Sequence, residues 1–110
     1  MDESTARAAS WRVLTNHGNV LLFIASEPTA RARDIAERVG ITERAAQRIV
    51  ADLIADGYLK RTKIGRRNRY EVNRRGHLRH PLFEGFEIGP LIDTINSYDG
   101  SGPEDSVKPT

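Results

Sequence analysis

Residues 33–59 read R-D-I-A-E-R-V-G-I-T-E-R-A-A-Q-R-I-V-A-D-L-I-A-D-G-Y-L, and this stretch decides the fold. It describes two helices meeting at a tight corner. The first runs from Asp34 to Val39, with Ile35, Ala36 and Val39 apolar at helical spacing. Gly40 stops it, because the residue past a helix end often needs a positive φ, which costs Gly nothing. Ile41 plugs the corner. Thr42 is a good N-cap for the second helix, and Glu43 suits its first turn. That helix runs from Glu43 to Asp56 and is ended by Gly57. Its apolar residues Ala46, Ile49, Val50 and Leu53 share one stripe. At about 100° per residue, Arg44, Gln47, Arg48 and Ala51 fall together on the opposite face.

That opposite face has a chemistry of its own. Two arginines and a glutamine at i, i+3 and i+4 can reach base edges from a helix lying in a major groove. Arg pairs bidentately with guanine, Gln with adenine, and Ala leaves room for a thymine methyl. The plainer alternative is a solvated helix face, and the helix alone does not decide between the two.

The next segment, Tyr58–Asn73, shifts the balance. Two β-type runs, Leu59–Ile64 and Arg69–Val72, flank Gly65-Arg66-Arg67-Asn68, residue types that a hairpin tip prefers. From Lys60 to His80 there are nine Lys/Arg and one acid, Glu71, a surplus of +8 in a chain whose total is only +2, so the remainder carries −6. Charge segregated this sharply is the electrostatic footprint of a polyanionic partner.

Helix, corner, helix and basic two-stranded hairpin together resemble the winged-helix DNA-binding domain of small bacterial regulators of the MarR and ArsR types. The residues carrying the resemblance are D-I-A-E-R-V-G-I-T-E-R-A-A-Q-R-I-V-A-D-L, then G-Y-L, then the wing G-R-R-N-R-Y; it covers about Asn16–Asn73. It implies sequence-specific binding of duplex DNA and control of transcription, and no particular effector. It also implies that Ala30-Arg31-Ala32-Arg33 forms a small strand pairing with the wing. Soft-metal sensors of the ArsR type use cysteines, and this sequence has none.

The rest of the chain fits around this unit. A length of 110 residues gives one domain, with 38% hydrophobic residues for a modest core. Without cysteine there are no disulfides and no thiolate metal site. No apolar run approaches membrane-spanning length and no signal-peptide pattern opens the sequence, so a cytoplasmic protein is expected. Near the N-terminus, Ser4 can cap a short helix with Ala8, Trp11, Val13 and Leu14 on its apolar side. Thr15 or Asn16 caps a helix running to Ser26 that is apolar almost all round, hence buried on more than one side, with Pro28 closing it. After the wing, His77–Leu82 is expected to be extended, because a residue before Pro avoids the helical region. Charge then reverses: Pro81–Thr110 holds six acids and one base. Gly89-Pro90 looks like a helix start, with Ile88, Leu91, Ile92, Ile95 and Tyr98 at helical spacing around and beyond it. Residues 100–110 have the composition of a disordered tail.

His77 and His80 form an H-x-x-H pair with His17 as a remote third, but Arg74, Arg75 and Arg79 crowd it and would repel a cation, so no metal is assigned. No nucleophile elbow, phosphate loop or zinc-hydrolase motif occurs, so neither enzymatic activity nor a cofactor is expected.

The sequence is therefore read as mainly α with a small antiparallel β-wing: a winged helix-turn-helix with an additional C-terminal helix. Residues 1–99 form the DNA-binding domain with its dimerisation segments, and 100–110 the tail. Arg44, Gln47 and Arg48 are expected to read bases. Thr42, Lys63, Arg66, Arg67, Asn68 and Arg69 are expected to hold phosphates or probe the minor groove. A homodimer on double-stranded DNA is expected, with Trp11, Leu14, Leu21, Leu91, Ile92 and Ile95 at its interface, since Trp is enriched at interface hot spots and large apolar patches mark association sites; the plainer alternatives are that Trp11 packs in the core and that the two ends pack on each other within one chain. Two alternatives stay open: a plasmid or phage replication factor with the same fold, and a protein-interaction winged helix that never touches DNA.

Overall fold

A computed structural model of the chain describes residues 12–98. Four helices and one hairpin follow in the order α1 (Asn16–Ser26), α2 (Ala32–Val39), α3 (Glu43–Ala55), β1 (Leu59–Ile64), β2 (Arg67–Val72), a 3-10 turn at Pro81–Phe83, and α4 (Gly89–Asn96). Trp11, the expected N-terminal helix up to that residue, and the tail 100–110 lie outside the described residues.

The corner forms as its sequence dictates. Gly40 sits at φ +86° and its N–H closes α2 on the Ala36 carbonyl at 2.8 Å. The Thr42 hydroxyl accepts from Ala45 N–H at 3.0 Å, opening α3 at the expected place. Ala46, Ile49, Val50 and Leu53, the predicted stripe, are all buried. Helix α1, capped by the Thr15 hydroxyl at Gly18 N–H, is the hub: it packs against α2, α3, β2 and α4, with Val20 and Ile24 fully buried. The core is completed by Ile35 and Ala36 of α2, Leu59 and Tyr70 of the hairpin, and Ile88 and Ile92 at the C-terminal end.

The structure corrects the reading in four places, the briefest being that the run expected to be extended through Leu82 turns into a 3-10 helix at Pro81, after an extended His80. Ala30–Arg33 is not a strand. Arg31 N–H bonds the Asp34 carboxylate at 3.1 Å, half of a capping box, so α2 begins at Ala32. All that remains of an edge pairing is Tyr70 N–H to the Pro28 carbonyl at 2.9 Å, and the sheet has two strands. The hairpin is also tighter than expected. Ile64 pairs with Arg67, leaving Gly65-Arg66 as a two-residue turn. Gly65 alone has positive φ (+64°), the pattern of a type II′ turn, so Arg67 and Asn68 are strand rather than tip.

The third correction concerns the expected dimer surface. Leu21 (8% exposed) and Ile92 (2% exposed) belong to the chain's own core and have no surface left for a partner. Ile88 and Ile92 bring α4 onto α1, so the C-terminal helix is part of the fold rather than a detachable arm. Leu14 and Ile95 remain exposed and Leu91 half-buried. No helix among the described residues is long and apolar enough to cross a membrane.

Candidate nucleic-acid interface

The outward face of α3 is built by the same periodicity that buries its stripe. Glu43, Arg44, Gln47, Arg48 and Ala51 are all exposed, and neither arginine has an acid within ion-pair reach among the described residues. Thr42, expected to touch phosphate, spends its hydroxyl as an acceptor for the helix cap, which leaves its O–H as the donor.

The pleat sorts the hairpin residues onto two faces. Leu59, Arg61 and Lys63 alternate onto one side with their partners Val72, Tyr70 and Asn68. Because Leu59 and Tyr70 are buried, this is the inner face, turned toward the helices. Lys60, Thr62 and Ile64 occupy the outer face with Glu71, Arg69 and Arg67. Arg67 nevertheless reaches back to the body: its guanidinium donates to the Thr29 carbonyl at 2.6 Å, tying the end of the wing to the turn before α2. Arg66 stands at the tip, Asn68 is half-buried, and Lys63 and Arg69 are exposed.

The basic segment divides in two. Arg74 bonds Asp93 at 2.6 Å, Arg79 bonds Asp56 at 2.9 Å, and Arg75 lies 3.7 Å from Glu87. Asp56, through its hydrogen bond and its charge, holds the Arg79 guanidinium above its ordinary pKa, and Arg79 also lies over the Tyr58 ring at 5.7 Å. Arg79 fastens the segment after the wing to the C-cap of α3, Arg74 fastens it to α4, and Arg75 lies against the stretch just before α4. Within Lys60–His80, the cations outside these ion pairs are thus all in the wing: Lys60, Arg61, Lys63, Arg66, Arg67 and Arg69.

Wing and α3 face one another across a cleft of about 530 Å³. Of the residues singled out from sequence, Gln47, Arg66, Arg67 and Asn68 meet there; Arg44, Arg48, Lys63 and Arg69 stand outside its lining. Arg31 and Arg61 line it too, although the sequence gives Arg31 only as part of the expected strand and Arg61 only as charge. The alternation that places Arg61 beside buried Leu59 is a usable signal. The position of Arg31 depends on where α2 starts, which the expected strand obscures.

The three histidines are engaged separately. His17 Nε2 lies 2.9 Å from Asp52 Oδ2, His80 Nδ1 accepts from Leu82 N–H at 3.0 Å, and the His77 carbonyl accepts from the Tyr58 hydroxyl at 2.5 Å.

The family model of the MarR family matches residues 13–69, just over half of the chain. The chain belongs to the MarR family of winged-helix, DNA-binding transcriptional regulators. No curated protein matches it in sequence. Among solved structures it is similar to AdcR, a zinc-dependent MarR family transcriptional regulator in its Zn(II)-bound state, at 18% identity and a TM-score of 0.45, over 92% of this chain and 72% of that one. Zinc dependence is a property of that protein.

Proposed function

We propose that this regulator binds duplex DNA sequence-specifically, with α3 in the major groove and the wing on the backbone or in the minor groove. One observation carries the reading. Gln47, in the middle of the exposed Arg44–Gln47–Arg48 face, and Arg61, Arg66 and Arg67 of the wing line a single cleft, so one duplex can meet both elements. Arg44, Gln47 and Arg48 supply donors and acceptors for base edges, whereas Lys63, Arg66 and Arg69 contribute sequence-independent attraction to phosphates.

A homodimer on a pseudo-palindromic site completes the proposal. One small module buries roughly 600–1,000 Å² on DNA, and doubling across a two-fold axis, with half-sites about one helical turn apart, is the usual route to high specificity. Supporting it, Ile95 and Tyr98 are exposed and line a groove with Leu22 and Phe23 between α1, α2 and α4. Leu14 adds exposed apolar surface nearby in sequence.

Selection from a random duplex pool, then filter binding at two salt concentrations, tests the DNA reading. The selected site is expected to bind on the order of 10³-fold more tightly than random duplex, with affinity falling as salt rises. Salt-independent binding, or none, refutes it. Sedimentation equilibrium tests the dimer: a single species at the chain mass of 12.3 kDa refutes that part alone.

A further inference from the structure

The segment between the wing and α4 holds three large apolar side chains in solvent. Leu82, Phe83 and Phe86 are 74%, 45% and 47% exposed, and none of them packs on the core. Apolar side chains scattered singly on a surface need no explanation, but three so close in sequence form a patch of the kind that marks an interaction site. The loop that bears them is braced. Ile88 N–H bonds the Gly76 carbonyl at 2.8 Å and Leu78 N–H bonds the Phe86 carbonyl at 3.1 Å, with His77 and Glu87 paired between them. The segment thus returns on itself as a narrow antiparallel loop. At its end, Phe83 N–H bonds the His80 carbonyl, Phe86 N–H bonds the Phe83 carbonyl, and Leu82 N–H is held by the His80 ring. Gly85, at φ +81°, makes the last bend. A loop already ordered in this way loses little entropy when it docks.

The groove between α1, α2 and α4 is complementary to this loop in polarity and in charge. Leu22, Phe23 and Val39 line it half-buried, and Ile95 and Tyr98 line it exposed, around a volume of about 580 Å³. Arg12 and Arg38 line it too, and no Asp or Glu does. The Arg38 guanidinium lies over the Phe23 ring at 5.2 Å, which sets positive charge directly on the apolar surface. The loop has the opposite sign. Arg75 and Arg79, which flank it, are turned to Glu87 and Asp56, so the charge presented among its apolar side chains is Glu84.

We propose that the partner of this loop is a second copy of the chain: Leu82, Phe83 and Phe86 of one protomer seat in the α1–α2–α4 groove of the other, with Glu84 facing Arg38. The proposal rests on the homodimer reading and names the element that fills the groove. Each protomer carries one loop and one groove, so a two-fold pair makes the contact twice and satisfies both. No residue of the loop or the groove lines the cleft between wing and α3, so the contact does not consume the surface proposed for DNA.

The test is sedimentation equilibrium of the full chain at micromolar concentration, with thermal melting to show that each variant keeps the fold. Phe86→Asp is expected to raise the dimer dissociation constant at least tenfold. Ile64→Asp, at an exposed apolar residue outside loop and groove, is expected to change it less than twofold. Glu84→Arg and Arg38→Glu, each alone, set like charges against one another at both contacts and are expected to weaken association about threefold. Mixed in equal amounts, the two variants restore opposite charges at both contacts, and the mixture is expected to return to within about twofold of the wild type. A wild type found only at the chain mass refutes the homodimer reading and this proposal together. If the wild type pairs but Phe86→Asp behaves like Ile64→Asp, the dimer stands and the proposal is overturned. If Phe86→Asp weakens pairing and the mixture of charge variants does not recover, the loop meets another face than this groove, and the proposal is again overturned.

Discussion

Ile92 and Ile95 sit three residues apart on the same short helix, yet the structure gives them opposite roles, and substituting each by alanine separates the core from the proposed dimer surface. Ile92 is 2% exposed and belongs to the cluster that contains Val20 and Ile24 of α1; Ile95 is 41% exposed. Ile92→Ala removes three buried carbons, about 2.4 kcal/mol of transfer free energy at roughly 0.8 kcal/mol each. The cavity left against α1 adds to this, giving about 2–5 kcal/mol. A domain of this size has roughly 5–13 kcal/mol in total at the usual stability per residue. The melting temperature should therefore fall by more than about 10 °C. Ile95→Ala should cost the isolated chain under about 1 kcal/mol, and raise the dimer dissociation constant about tenfold. Urea unfolding at two protein concentrations about a hundredfold apart reads both effects, because stability drawn from a dimer depends on concentration and core stability does not. Equal losses from the two variants, or a loss below about 1 kcal/mol for Ile92→Ala, would refute the assignment of α4 to the chain's own core.

Three further outcomes are expected. Gln47→Ala or Arg48→Ala should cost about 1–3 kcal/mol on the selected duplex and little on random DNA, measured by fluorescence anisotropy; equal losses on both would mean that these residues only position the protein. Arg66→Ala should weaken binding to every duplex alike and flatten the salt slope by about one, and an unchanged slope would place the wing tip off the phosphates. Gly76→Ala should cost about 1–3 kcal/mol in thermal melting, because its Cβ would stand 2.7 Å from the Tyr58 ring, which is held by its hydroxyl bond to the His77 carbonyl; a neutral effect would mean that the ring is free to move.

The helix-corner-helix was legible because each signal is local. The stripe of α3, the glycine with positive φ at the corner and the threonine cap are set within a few residues of one another, and the structure places each at its expected position. Local signals failed where two segments compete for the same backbone. Ala30–Arg33 alternates like a strand, but Asp34 three residues after Arg31 offers its carboxylate to the Arg31 N–H, and the helix gains a cap that a lone edge strand would lack. Apolar periodicity likewise identified α4 without revealing what it covers: it does not distinguish a helix that packs on its own chain from one awaiting a partner.

The candidate site was legible as charge and illegible as geometry, for a related reason. Nine basic residues between Lys60 and His80 look like one patch in sequence, since net charge carries no direction. In the fold, Arg74, Arg75 and Arg79 turn to Asp93, Glu87 and Asp56 and become fasteners for the segment leaving the wing. Exposed pairs of this kind are each worth little in stability, but they withdraw three cations from the interface. The cations left behind are concentrated by the hairpin register, which sets Arg61 opposite Tyr70 on the face turned inward. A two-residue turn fixes that register. Had the tip been the four residues from Gly65 to Asn68, no Lys63–Asn68 or Ile64–Arg67 pairing would have formed, and Arg67 would have been carried away from Thr29 as part of a loop. The tight turn at Gly65 is thus what carries Arg61, Arg66 and Arg67 of a run of positive charge into the lining of one cleft.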